Sequence, residues 1–123
     1  MVRALSLWLP VILVMSIIWN ASAMSTSPGP SPMPDWLQHG LAYFTLSAAA
    51  VRAFAGGRWA GVTPGALAAG WLLATLYGVT DEWHQMYVPG RFSELRDWVA
   101  DTVGALAAAL AIGAWGIIAK GRE

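Results

Sequence analysis

The side chains that could carry chemistry fall into two stretches of the sequence. In the first, four polar side chains recur at every fourth position, so a helix would place them on one side: Asp35, His39, Tyr43 and Ser47. The second stretch, residues 81–101, is dense in charged and polar side chains: Asp81, Glu82, His84, Gln85, Arg91, Glu94, Arg96, Asp97 and Asp101. Carboxylates and imidazoles act as general acids and bases, and arginine binds phosphate or carboxylate. This set could therefore support acid–base catalysis or the binding of a charged polar group.

Metal and nucleophilic sites are poorly encoded. The chain has no cysteine, which excludes thiolate ligands and cysteine nucleophiles. The segment 81–84 lacks the i, i+4 histidine pair of zinc proteases, so a metal site would need His39 and His84 to meet across helices, together with carboxylates. Ser93 is interpreted as the N-cap of the last helix rather than as a nucleophile. We therefore predict no metal and no cofactor.

The composition favours lipid rather than water as the solvent of this chain. Its 123 residues are 57% hydrophobic and only 11% charged, with a mean hydropathy of +0.53, whereas soluble domains carry about 25% charged residues. Four apolar stretches approach the length of about 20 residues that a transmembrane helix needs: residues 4–19, 36–54, 62–80 and 98–118. We predict an all-α integral membrane protein, one domain over residues 1–123 that forms a bundle of about four transmembrane helices.

The first apolar stretch has a second interpretation. Arg3, the apolar run and the small residues Ala21, Ser22 and Ala23 match the three parts of a secretory signal peptide. The run is at the long end of a signal core, which favours a retained helix. Both alternatives give the same sidedness for the other helices.

The lysines and arginines predict the orientation of the bundle. With four crossings, five of the seven fall on one side: Arg3, Arg52, Arg58, Lys120 and Arg122. The bias of positive charge towards the cytoplasm places this side, and both termini, there. The opposite side, with the loop region 81–97, collects six acids and two arginines and carries −4, whereas five cations and Glu123 give the cytoplasmic side +4.

Acidic side chains at this depth need partners. By this count Asp101 lies one turn inside the membrane, where a carboxylate requires a partner or an aqueous cavity, and Arg91 and Arg96 are the predicted cationic partners. Ionisable groups inside a membrane mark a functional site by default, and the excess of acids favours that interpretation here. The alternatives are a hydrogen-bonded network that only fixes helix packing, or a carboxylic acid kept protonated by its neighbours.

The same residues form a motif that resembles the VanZ-like family. Its elements are D-E-x-x-Q at residues 81–85, P-G-R at 89–91, an Asp at 97 and D-T-x-G-A at 101–105, with H-x-x-x-Y at 39–43 upstream. The resemblance covers about residues 35–115. Trp36 stands where the family often has a lysine. The resemblance implies a multi-pass protein of the bacterial cytoplasmic (inner) membrane, whose namesake is linked to resistance to the glycopeptide antibiotic teicoplanin.

Three functional hypotheses follow from the residues and the resemblance together. In the first, an envelope protein engages a membrane lipid, or a lipid-linked glycan or glycopeptide-type polar group, at the outer leaflet, with no nucleic-acid partner. Its candidate ligand-binding residues are Tyr43, Gln85, Arg91 and Asp101. In the second, a membrane-embedded hydrolase or transferase acts on lipid-linked envelope material, with His39, Asp81, Glu82 and Asp97 as candidate catalytic groups. In the third, the protein is a structural membrane module without catalysis.

Overall fold

The computed structural model describes residues 1–24, 33–91 and 94–122, and the regular structure in these ranges is entirely helical. Four α-helices follow one another along these ranges: α1 (Val2–Ser22), α2 (Asp35–Phe54), α3 (Pro64–Gln85) and α4 (Leu95–Lys120). A short 3-10 helix, Trp59–Gly61, precedes α3. The predicted all-α class is confirmed, while the predicted cap Ser93 lies outside the described residues.

The reversal between α2 and α3 is set by local sequence signals. Gly56 and Gly57 have φ angles of 65° and 73°, a left-handed conformation that glycine adopts without steric cost. After this turn, Thr63 caps α3 by accepting a hydrogen bond at Oγ1 from the backbone N–H of Ala66, 3.1 Å away. Pro64 occupies the first turn of α3, where its missing N–H is not needed. The chain can therefore reverse within a few residues.

Helix α2 is the central element, since it packs against the other three helices more extensively than any other helix does. Its backbone meets that of α4 where both have glycine, because a Cβ added at Gly104 would lie only 2.1 Å from the carbonyl oxygen of Gly40. Ser47 adds a buried hydrogen bond across the same interface, donating from Oγ to the carbonyl oxygen of Ala105 at 2.8 Å. Small residues of this kind let helix backbones approach closely.

Helix α1 is held along its length by α2 and α3. At one end, Arg3 donates to the carbonyl oxygen of Gly56 at 3.1 Å, and Arg52 donates to that of Ser6 at 3.2 Å. Further along, the hydroxyl of Tyr77 donates to the carbonyl oxygen of Met15 at 2.6 Å. In this fold, α1 is therefore one of the packed helices of the bundle.

The outer surface of the bundle is apolar. Large hydrophobic side chains that are exposed lie on all four helices, among them Leu9, Leu41, Leu76 and Leu110. Helices α1 and α4 are long and apolar enough to cross a membrane, a judgement on length and composition alone. This finding supports a membrane protein, whereas the four crossings of a membrane stay a prediction.

Candidate functional site

Four acidic side chains are buried where the C-terminal end of α3 meets the N-terminal parts of α2 and α4. They are Asp81 and Glu82 on α3 and Asp97 and Asp101 on α4, with exposed fractions of 1%, 7%, 6% and 0%. A carboxylate loses its hydration when it is buried, so each needs hydrogen bonds, a cation or a proton. The structure thus brings together acids that are separated by up to 20 positions in the sequence.

The buried ion pair of the site joins α2 to α4. His39 Nδ1 lies 2.9 Å from Asp101 Oδ1, and this is the one ion pair within residues 1–24, 33–91 and 94–122. The expectation that Arg91 and Arg96 would pair with Asp101 is wrong for these residues. His39 reaches Asp101 because it precedes the Gly40–Gly104 contact, whereas Arg91 lies beyond the end of α3 and Arg96 is exposed.

The other oxygen of the Asp101 carboxylate, Oδ2, is buried without a hydrogen-bond partner among the described residues. It faces Gly78 on α3, where an added Cβ would lie 3.3 Å from both Asp101 Oδ2 and Tyr43 Cε1. The glycine therefore lets α3 pack closely against the Asp101 carboxylate. Tyr43, which is almost fully buried at 1% exposure, packs against the same glycine from α2.

A serine from α1 completes the group, and the sequence interpretation did not select it. Ser22 Oγ lies 2.5 Å from Asp81 Oδ1, 3.0 Å from the carbonyl oxygen of Trp19 and 3.3 Å from His84 Nδ1. The sequence pattern places Ser22 in a possible signal cleavage site instead. One feature of the sequence could have identified Ser22 as a site residue. With four crossings, the end of the first helix lies at the same depth in the membrane as Asp81.

His84 does not meet His39, as a metal site with both histidines would require. Its ring stacks on Trp19, with ring centroids 3.7 Å apart and an angle of 6° between the planes. His39 is instead bonded to Asp101, so the structure assigns the two histidines to different neighbours. Ser22 bridges Asp81 and His84, whereas a catalytic triad places the histidine between the serine and the acid. The arrangement of Ser22, Asp81 and His84 is therefore that of a hydrogen-bonded network between packed helices, not that of a catalytic triad.

A cavity of about 290 Å³ opens beside this cluster, between α1, α2 and the end of α3. One wall is apolar and comes mainly from α1, with Ile17, Ile18 and Ala21, while Ala42 adds to it from α2. The polar part is lined by Ser22, Asp35, Gln38, His39, Tyr43, Asp81, Gln85 and Arg91. Five of the eight residues selected from the sequence line the cavity, and Glu82, Asp97 and Asp101 lie behind it.

Two sets of donor atoms are close enough to share a metal ion. One comprises Asp35, His39 and Asp97, and the other comprises His39, Glu82 and Asp101; in each set the ligand atoms lie within 4.8 Å of one another. Both sets use His39, so one ion at most would take its imidazole. The sequence predicts that any metal site depends on His39 and His84 together, but neither set contains His84.

The fold and this site define a small helical protein with an apolar exterior and a polar cluster at one end. A family model described as VanZ/LLP1 matches residues 7–116, and the chain belongs to this family. No curated protein and no solved structure matches the chain. The predicted VanZ-like membership is confirmed, and the match extends further towards the N-terminus than the motif did, into α1. Family and apolar helices together support a membrane protein.

Proposed function

We propose that this protein binds the polar headgroup of an envelope lipid or lipid-linked molecule in the cavity beside Asp81, at the extracytoplasmic end of a four-span bundle. The observation that carries the proposal is the lining of the cavity, which combines Arg91 with carboxylates and an apolar wall. Arg91 suits a phosphate or carboxylate, and Asp35 and Asp81 suit an amine or hydroxyl. The wall formed by Ile17 and Ile18 suits the start of an acyl or prenyl chain.

The size of the cavity supports a headgroup rather than a larger ligand. Small-molecule pockets range from about 300 to 1,000 Å³, and this cavity of about 290 Å³ is at the lower end. A headgroup of a few heavy atoms fits this volume, whereas a complete lipid-linked glycan or a glycopeptide does not. Such larger molecules would insert one polar group and leave the remainder outside.

The position of the cavity follows from the proposed orientation. In the bundle, Tyr43 packs beside Gly78 and Val51 beside Gly70, a register in which α2 and α3 run antiparallel. The alternation agrees with four crossings of the bacterial cytoplasmic membrane, with Arg3, Arg52 and Lys120 at the cytoplasmic end. The cavity then opens towards the cell wall, where a protein of this family could alter the response to glycopeptide antibiotics.

Headgroup binding is tested with the purified full chain in detergent and short-chain lipids as probes. Phosphoethanolamine and phosphocholine headgroups carry phosphate and cation together, and phosphoglycerol carries phosphate alone. We expect Arg91→Ala to weaken binding of phosphoethanolamine lipid about tenfold or more. Arg96→Ala is the matched control, because Arg96 is exposed and does not line the cavity. Equal affinity of wild type and Arg91→Ala for all three headgroups would contradict the proposal.

A second candidate function, a hydrolase or transferase, rests on the His39–Asp101 pair. His39 lines the cavity, and Asp101 holds its Nδ1 at 2.9 Å, the relationship in which an acid orients a general base. Turnover of a labelled lipid phosphate by the purified protein, lost in His39→Gln, would support it. Saturable headgroup binding without any turnover would leave the binding function alone. A purely structural module predicts lower abundance for Arg91→Ala and His39→Gln, and no specific binding.

A further inference from the structure

We propose that His39, Glu82 and Asp101 bind a divalent transition-metal ion of the Zn²⁺ or Mn²⁺ type, behind the headgroup cavity. The ligand atoms of these three residues lie within 4.8 Å of one another. Metal–nitrogen and metal–oxygen bonds are about 2.0–2.2 Å long, so two ligands of a tetrahedral ion are about 3.4 Å apart. Side-chain rotations that bring the most distant pair of ligand atoms closer by up to about 1.4 Å would therefore close the set around an ion.

An independent observation points to a ligand at this place. Asp101 is fully buried, and its Oδ2 has no hydrogen-bond partner among the described residues. Buried polar atoms are nearly always satisfied, so an open carboxylate oxygen needs an explanation, and an ion is one. Gly78 packs closely against this oxygen, so the backbone of α3 shields Oδ2 from the lipid-facing surface without giving it a hydrogen-bond donor.

The charges of the site also favour a cation. Asp81, Asp97 and Asp101 are buried close together, and the ion pair that the structure shows in residues 1–24, 33–91 and 94–122 is that of His39 with Asp101. A divalent ion bound to two carboxylates and a neutral imidazole forms a set with no net charge. Such neutralisation lowers the cost of burying these acids.

The two donor sets are not equivalent, and burial favours the set of His39, Glu82 and Asp101, which is called the deeper set. Asp35, a member of the set with Asp97, is exposed and retains its hydration without an ion. Asp101 is inaccessible and has the open oxygen. The ligand types then select the metal, because imidazole suits Zn²⁺ and other transition ions, whereas Mg²⁺ and Ca²⁺ prefer oxygen ligands alone.

A metal ion at this place is a second binding function, and it could also contribute to headgroup binding. Three protein ligands leave at least one coordination position open, and His39 lies on the wall of the cavity. A phosphate oxygen or a water molecule could occupy that position. The ion would then add to the attraction that Arg91 exerts on an anionic headgroup.

The test uses the full chain purified in detergent, stripped with a chelator and then titrated with Zn²⁺, Mn²⁺ and Mg²⁺ in the absence of lipid probes. We expect one Zn²⁺ or Mn²⁺ per chain and no comparable binding of Mg²⁺. Asp101→Asn and Glu82→Gln should each lower the affinity for Zn²⁺ at least about tenfold, since even second-shell changes at metal sites cost 10–100-fold. Substitution with Co²⁺ should give a visible absorption spectrum that changes in His39→Ala.

The controls separate the deeper set from the rest of the acidic surface. Glu94→Gln removes an exposed carboxylate of the same end of the bundle, and Asp35→Asn removes a member of the other set. Both variants should keep the affinity of the wild type. The proposal is overturned if the wild type binds none of these ions more tightly than about 1 mM, which is decided without any variant. It is also overturned if Asp35→Asn weakens binding and Asp101→Asn does not.

The outcome is separable from that of the proposed function. Headgroup binding is measured in the presence of chelator, and ion binding is measured without lipid probes. Loss of the first with retention of the second would leave a metal site in a protein with another ligand. The reverse would leave a headgroup site whose buried acids are neutralised by protons.

Discussion

His39 Nδ1 and Asp101 Oδ1 lie 2.9 Å apart and connect α2 to α4 close to the point where the backbones of the two helices meet, at Gly40 and Gly104. The pair therefore combines two tasks. It gives one oxygen of a fully buried carboxylate a partner, and it fixes the orientation of an imidazole that lines the cavity. Each task gives a measurable expectation.

The energetic coupling of His39 and Asp101 is the first prediction. A double-mutant cycle with His39→Ala and Asp101→Ala, measured as the free energy of unfolding in mixed micelles, should give a coupling between about 0.6 and about 1.7 kcal/mol, the average and the maximum for interhelical hydrogen bonds in a membrane protein. The reason is that each single change leaves the other group without its partner. A control cycle that combines Asp101→Ala with Glu94→Gln should be additive, since Glu94 is exposed. Additivity in the first cycle would contradict the pair.

The contact of Gly104 with Gly40 gives the second prediction. Gly104→Ala would place a Cβ 2.1 Å from a backbone oxygen, so α2 and α4 must move apart, and we expect a loss of about 1–3 kcal/mol in the free energy of unfolding. Gly121→Ala is the matched control, because its Cβ would meet only the carbonyl oxygen of Ile118, at an ordinary 3.6 Å. A Gly104→Ala variant as stable as Gly121→Ala would show that the close contact is absent.

Much of this fold could be predicted from the sequence, because long apolar runs and their breaks are local signals. The predicted third helix, residues 62–80, is longer in the structure and ends at Gln85, since the polar residues 81–85 continue its turns. Pairing was harder to predict than helix position. The partner of Asp101 depends on how α2 and α4 are rotated about their axes, and hydropathy does not specify that rotation. The charges alone predict Arg91 and Arg96 as partners of Asp101, because they contain no information about the rotation of the helices.

Ser22 illustrates the other kind of limit. A small residue at the end of an apolar run is consistent with a cleavage site, a helix end or a buried hydroxyl, and the sequence does not distinguish between them. Its distance of 2.5 Å from Asp81 Oδ1 arises only when α1 packs against α3. The helical spacing of the polar positions predicts that the site residues converge, which is why most of the polar side chains that line the cavity could be selected from the sequence, whereas its apolar wall could not.

The third prediction concerns Ser22. Ser22→Ala removes the hydroxyl beside Asp81 and should lower the free energy of unfolding by about 1–3 kcal/mol, because a buried carboxylate loses a hydrogen bond. Ser6→Ala is the control, since the hydroxyl of Ser6 bonds only within its own helix, to the carbonyl oxygen of Arg3, and the residue is exposed. An equal effect of the two changes would count against a role of α1 in the site.

Retention of α1 in the mature protein is the fourth prediction. If Ser22 and Tyr77 hold α1 in the bundle, the purified protein should keep residues 1–23, and its intact mass should be that of the full chain. The measurement is mass spectrometry of the protein extracted from membranes, with a C-terminal tag used for purification. A mass that corresponds to a start at or near Met24 would identify the segment as a cleaved signal peptide.

The fifth prediction concerns the orientation of the bundle. The chain has no cysteine, so single cysteines can be introduced at the exposed positions of Glu94 and Arg122 without background labelling. If the positive charges are cytoplasmic, an impermeant thiol reagent added to intact cells should label Glu94→Cys, and should label Arg122→Cys only after the membrane is permeabilised. Glu94→Lys tests the cause at an exposed position, since it weakens the charge bias and should produce a mixed population. Labelling of Arg122→Cys in intact cells would reverse the orientation and place the cavity on the cytoplasmic side.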